Sequence, residues 1–195
     1  MKICNLSVNS KKYTSNVYFV TGDWNTLDDK NTLIDVGMDD LILEKINDVP
    51  TGVGQHKVTQ VIVTHSHYDH VWNLPNIVST FSPKVYAHSK ALQNVSHIIK
   101  DGQKLLIGDR EFEVIYTPEH STDSICLYCE EEGILFTGDT PVFITSPTGY
   151  YNENFLNFLV RMCKKDLKAI YPGHGNPVIS EINKLLVESL KNSIS

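Results

Sequence analysis

Residues 64–70 read Thr-His-Ser-His-Tyr-Asp-His, which places three histidines and one aspartate within the six positions 65–70. Neutral imidazole and carboxylate suit zinc, iron, manganese or cobalt, and the run holds no thiolate that would argue for a structural cysteine-rich zinc. In extended backbone His65 and His67 face the same side, because side-chain direction repeats every two residues. Asp69 and His70 follow a bend that can turn them toward a second position. Three more segments carry the same residue types: Thr117-Pro118-Glu119-His120-Ser121, Phe136-Thr137-Gly138-Asp139-Thr140 and Tyr171-Pro172-Gly173-His174-Gly175. Each alone reads as a cap or a hydrogen-bonded turn. Their order and spacing together point to one shared site.

The elements that must position these groups can be read around them. The β-branched run Val58–Thr64 predicts a strand buried on both faces that ends at His65. Before it, Lys2–Val8, Tyr13–Val20 and Asn31–Val36 predict a meander, and Asp39 or Asp40 caps a helix through Asn47 that Pro50 stops. After it come a helix over Asn73–Phe81 broken at Pro75, a strand Lys84–Ala87 and a short helix Ser89–Val95. Strands follow at Lys104–Ile107, Glu111–Thr117, Ser124–Cys129 and Gly133–Phe136. Amphipathic helices Glu153–Lys165 and Ser180–Asn192 then flank a strand Leu167–Tyr171. Phe155, Phe158, Leu159 and Met162 have the spacing of a core-facing helical stripe. The order strand–acid–helix–strand–histidine occurs twice, from NTLIDVG to His65 and from GILFTGD to His174. This hints at two similar α/β halves with histidines at the carboxyl ends of strands, where ligand crevices form.

Composition narrows the function. The 195 residues suit a single domain over 1–195, and 17 Lys+Arg against 23 Asp+Glu give a net charge of −6. Such a balance disfavours a nucleic-acid partner, and no apolar run has the length of a membrane span or a signal peptide, so a small-molecule substrate is the expected partner. Four cysteines are too few for a disulfide framework at this length, which predicts a reducing, cytoplasmic setting. Cys126 and Cys129 lie three apart in a strand-like run, so they face opposite sides and read as small packing residues. His56, His88 and His97 read as surface or capping residues, and Glu130–Glu132 as a solvated hairpin turn.

Taken together, His-x-His-x-Asp-His at 65–70, His120, Gly138-Asp139 and Gly173-His174 resemble the metallo-β-lactamase superfamily, and Ile34–Gly37 looks like its early strand-end motif. The resemblance implies an α/β fold, an αββα four-layer sandwich with a metal pair in a cleft at the sheet edges. Carried over residue by residue, it gives one divalent ion to His65, His67 and His120. The other goes to Asp69, His70 and His174, with Asp139 bridging. Zinc is the first choice, with iron or manganese open. The bridging Asp139, and His70 where one large lactamase group has Arg, make the chain more similar to glyoxalase II-type hydrolases than to antibiotic-degrading enzymes. The chain departs from glyoxalase II in two ways. The Gly-Cys-Gly-Arg stretch after Gly-Asp is replaced by TPVFITSPTGYY. Only one helix follows His174, so the helical domain that grips glutathione is not expected.

Two ions sharing a water would lower its pKa from about 16 toward 7, for attack on a carbonyl carbon. Asp69 is then the expected base. Tyr150 and Tyr151, in the loop Ser146–Asn152, are candidate substrate contacts, while Trp24 and Trp72 are expected to pack. The expected function is a dinuclear metal-dependent hydrolase of a small thioester or ester, with lactone hydrolysis its nearest alternative. The second class is a persulfide dioxygenase-like oxidoreductase using one iron held by His65, His67 or His120 with Asp139. His67 stands where diiron reductase relatives have Glu. The acidic balance disfavours a nuclease, and a binding module has little use for a full ligand set.

Overall fold

The computed structural model describes residues 1–147 and 150–194. A six-stranded sheet is built from β1 (Lys2–Asn5), β2 (Tyr18–Thr21), β3 (Thr32–Ile34), β4 (Gln60–Ile62), β5 (Lys84–Ala87) and β6 (His97–Ile98), in that spatial order. Its first three strands run antiparallel, and β3 to β6 are parallel. The second sheet orders β11 (Ala169–Pro172), β10 (Ile134–Gly138), β9 (Ile125–Cys129), β8 (Arg110–Tyr116) and β7 (Lys104–Ile107), with only the β10–β11 pair parallel.

Strand alternation sorts the apolar side chains into three layers. Tyr18, Val20, Ile34 and Ile62 of the first sheet meet Phe112, Ile125, Leu127 and Phe136 of the second between the sheets. The intervening Phe19, Leu33, Val61 and Val63 face outward against α1 (Ile42–Asp48) and α3 (Leu74–Phe81). On the far side Cys126, Tyr128 and Leu135 face α4 (Glu153–Met162) and α5 (Ile182–Ser193). The result is the expected αββα sandwich. The expected stripe Phe155, Phe158, Leu159 and Met162 is buried. Cys126 and Cys129 lie on opposite faces of β9, in different clusters.

The repeated order of elements also takes shape. β3 leads to Asp35, α1, β4 and His65, while β10 leads to Asp139, α4, β11 and His174, with a parallel strand pair in each case.

Four local expectations are corrected. Pro75 sits in the first turn of α3, where the missing N–H costs nothing, so it opens the helix instead of breaking it. Ser89–Val95 forms bends, because the chain there is drawn into β-pairing: Ser96 N–H donates to Val85 O (3.0 Å) and Ser96 Oγ accepts from Val85 N (2.9 Å). Trp24 and Trp72 are 87% and 49% exposed and do not pack. The Glu130–Glu132 turn is paired, Glu130 with Lys165 (2.6 Å), Glu131 and Glu132 with Arg110 (3.1 and 2.8 Å).

Candidate metal centre

All seven candidate ligands come to one end of the sandwich. His65 lies three residues past the end of β4 and is buried. His67 caps α2 (Tyr68–Val71), whose first turns carry Asp69 and the fully buried His70. His120 follows β8, Asp139 follows β10 and His174 follows β11. The rings of His65 and His70 are 4.1 Å apart, those of His65 and His120 4.8 Å. His67 Nδ1 and His120 Nε2 are 2.9 Å apart. Asp139 is central: its Oδ2 is 3.9 Å from His65 Nε2 and 3.5 Å from both His120 Nε2 and His174 Nε2, and its Oδ1 is 3.3 Å from His70 Nε2. Asp69 Oδ2 is 3.0 Å from His174 Nε2. Three groups have donor atoms that all lie within 4.8 Å of one another and could hold an ion: His65, His67 and His120; Asp69, His70 and His174; and His65, His70 and Asp139.

The donor atoms fit a cation better than they fit one another. The Nε2 atoms of His65, His70 and His174 and Oδ1 of Asp139 are buried without a hydrogen-bond partner. Buried polar atoms are normally satisfied, so four converging orphans mark the place of something absent. The tautomers agree. His70 Nδ1 is 2.8 Å from Asp35 Oδ2, and His65 Nδ1 is 3.1 Å from Thr64 Oγ1, which itself donates to Asp35 Oδ2 at 2.8 Å. With both Nδ1–H groups committed outward, both Nε2 lone pairs face the cluster, as metal-ligating imidazoles require. Burial, and then the charge of His70, holds His65 down at about 4, so it is unprotonated at neutral pH. Burial opposes protonation of His70 as well, but Asp35 and Asp139 on either side outweigh it and push it up to about 10. Burial likewise works against the Asp139 carboxylate, yet His70, His174 and His65 hold it down at about 2. A proton on His70 thus does in the metal-free chain part of what a cation would do there.

Two glycines make the convergence possible. A Cβ on Gly173 would stand 2.2 Å from Asp139 Oδ1 and 2.8 Å from His70 Cε1. Gly138, at φ +50°, would bring one to 2.6 Å from Thr64 Oγ1. No side chain fits either place.

The family model of the metallo-beta-lactamase superfamily matches residues 11–174, a span that contains all seven residues. The chain belongs to the metallo-beta-lactamase superfamily. Among curated relatives it is 32% identical over 141 residues to the lactamase-like protein nscB of Aspergillus fumigatus, covering 69% of this chain and 41% of that protein. It is 35% identical over 82 residues to a hydroxyacylglutathione hydrolase of Legionella pneumophila strain Corby, covering 41% and 32%. This superfamily member therefore spans about a third to two fifths of the length of these relatives. Among solved structures, ETHE1 from Myxococcus xanthus shares the fold, with a TM-score of 0.73 over 100% of this chain and 88% of that one at 21% identity. Among the described residues no helix is long and apolar enough to cross a membrane.

Around the metallo-beta-lactamase centre, sequence reasoning missed the residues that hold the ligands in place. Asp35, 2% exposed and in left-handed backbone at φ +57°, orients His70 directly and His65 through Thr64. Its only signal was its place in the Ile34–Gly37 motif. Asn16 had none. Its backbone N–H donates to Gly173 O (2.7 Å) and its amide to Pro172 O (2.9 Å) and Gly175 O (2.8 Å), clamping the His174 loop. These contacts replace the first part of the expected Tyr13–Val20 strand. Tyr13 stacks on His174, with ring centroids 5.5 Å apart. Of the two tyrosines expected to touch substrate, Tyr150 is fully exposed and Tyr151 packs on Phe155. Thr148 and Gly149, in the same candidate loop, lie outside the described residues. A cavity of about 300 Å³ opens beside His120, Asp139 and His174, and neither tyrosine is among its described lining residues.

Proposed function

We propose that the chain is a metal-dependent hydrolase of the glyoxalase II-like kind, cleaving a small thioester or ester with two divalent ions, zinc being the first choice. The observation that carries this reading is the position of Asp139 Oδ2, equidistant at 3.5 Å from His120 and His174, between the two donor triplets. His65, His67 and His120 would hold one ion and Asp69, His70 and His174 the other, with Asp139 shared. Divalent ions held there acidify a coordinated water and polarise a carbonyl oxygen. The protein's own groups do the rest. Asp69, half-buried and leaning on His174, offers its second carboxylate oxygen to take and hold the proton of the attacking water. Asp35 and Thr64 keep the imidazoles of His70 and His65 turned inward. Cys126 and Cys129, buried on opposite faces of β9 and unable to pair, support the expected reducing, cytoplasmic setting.

Elemental analysis of protein purified without chelators tests the reading, followed by a panel of thioesters, esters and lactones. About two ions per chain and thioester turnover are expected. His67→Ala should abolish turnover and lower metal content; an active, fully metallated variant would overturn the ligand assignment. The group His65, His70 and Asp139 favours a second reading, because two histidines and one carboxylate are the donor set of non-haem iron oxygenases. One iron per chain with oxygen uptake on a persulfide would move the assignment there.

A further inference from the structure

The cavity beside the centre has a chemistry of its own. Its volume is about 300 Å³, at the small end of ligand pockets (about 300–1,000 Å³). One wall is the metal-facing set His120, Asp139 and His174, and the opposite wall is Pro141, Val142, Phe143 and Pro172. No described residue of the lining is Lys or Arg, and the two masked positions of the neighbouring loop are Thr148 and Gly149, which cannot supply a cation. Glu119, one residue before His120, adds a carboxylate near the mouth, where it accepts from Asn152 N–H at 2.7 Å.

The apolar wall is held firmly. Val142 and Ile144 are buried on either side of half-buried Phe143. Ser189 Oγ of α5 accepts from Ile144 N–H at 2.8 Å, and the Asn192 amide of the same helix donates to Ile144 O at 2.7 Å. The Phe143 ring is therefore presented to the cavity on backbone pinned from behind.

We infer that this cavity receives an uncharged, apolar group of the substrate, with Phe143 as the residue that sets the preference. The inference rests on the hydrolase reading above and adds a substrate class to it. A carboxylate or phosphate placed there would lose its water against Phe143, Val142 and two prolines with no cation to replace it. Neutral alkyl or aryl groups bury the same surface at a gain. Substrates whose non-reacting half is anionic are therefore excluded on chemical grounds, peptide thioesters carrying free carboxylates among them.

The test compares three thioesters on the zinc-loaded protein: neutral S-hexanoyl-N-acetylcysteamine, S-succinyl-N-acetylcysteamine with the charge on the acyl side, and S-hexanoyl-thioglycolate with the charge on the leaving group. At least a tenfold advantage in kcat/KM is expected for the neutral compound over whichever anionic one puts its charge in the cavity. Phe143→Arg should shrink that advantage at least tenfold by raising the rate on the anion, and Phe143→Leu should keep it. Equal or faster turnover of both anionic thioesters by the unmodified protein would overturn the inference while leaving the hydrolase reading intact. Failure to cleave any of the three would overturn the hydrolase reading instead. The cavity is then judged by ligand-observed NMR on zinc-free protein. Binding of the neutral S-hexyl thioether of N-acetylcysteamine that is lost in Phe143→Arg supports it. Binding of S-hexyl-thioglycolate as strong as that of the neutral thioether overturns it.

Discussion

Asp35 does three jobs with one carboxylate. Oδ1 accepts the Thr64 N–H at 2.8 Å, while Oδ2 takes both the Thr64 hydroxyl and His70 Nδ1 at 2.8 Å. The residue pays for this with left-handed backbone, a conformation worth roughly 1 kcal/mol or more of strain for a non-glycine side chain. Strain of that kind persists where surrounding contacts over-determine it. Asp35→Asn keeps the size and removes the charge that fixes the inward-facing lone pair of His70. Loss of an outer partner of this type lowers metal affinity by about 10–100-fold. Competition with a chelating dye should show that loss for zinc, with the far-UV spectrum unchanged; unchanged affinity would mean that Asp35 serves the fold alone. The ligands themselves were legible in the sequence, since three histidines and an aspartate in six positions have few other uses. Asp35 was visible only as a motif member, and Asn16 not at all. A clamp made by backbone carbonyls 156 and 159 residues away leaves no pattern in the chain.

Elements whose apolar period matched their setting were read correctly, and those governed by a neighbour were not. α4 shows both sides. Its buried face of Phe155, Phe158, Leu159 and Met162 was plain from spacing, but what fastens its polar edge to the sheet was not. Arg161 reaches across to Glu113 on β8 with a two-pronged contact, Nη1 donating to Oε1 at 2.7 Å and Nη2 to Oε2. The hydrogen bonds from Arg161, opposed by partial burial, lower the Glu113 pKa. A carboxylate lowered on folding adds stability that is present above its unfolded pKa and lost as pH falls through the folded one. Arg161 is 39% exposed, so solvent screening limits the pair to about 1 kcal/mol. Glu113→Gln should therefore lower stability to urea by about that much at pH 7, and the two proteins should converge in acid. A gap that persists in acid would mean that packing, not charge, is what the substitution disturbs.

At the scale of the whole molecule the centre is the place where the two sheets are tied. Its residues come from the ends of β4, β8, β10 and β11 and from α2, so a bound ion adds crosslinks that the unfolded chain lacks. Zinc at about 100 times its Kd stabilises by about 2.7 kcal/mol, which for a chain of this size raises Tm by about 5–10 °C. The gain depends on pH. In the metal-free protein His70, raised from 6.5 to about 10, lends stability that is complete below its unfolded value and lost as pH rises through about 10. A cation must displace that proton, so zinc should add more at pH 8 than at pH 6 and release protons on binding. Thermal melts with and without zinc, and titration calorimetry in two buffers of different ionisation enthalpy, check both signs; a larger gain at pH 6 would contradict the role given to His70. The sequence alone determined the donor set, its division into strand-end segments and the layer order, because ligand chemistry and apolar period are properties of local residue types. Only the tertiary structure decided which carboxylate sits between the triplets, which residues aim the imidazoles, and that Phe143 rather than Tyr150 or Tyr151 walls the cavity. Those depend on distances between segments far apart in the chain, and such distances are fixed by how the layers pack rather than by the order of the residues.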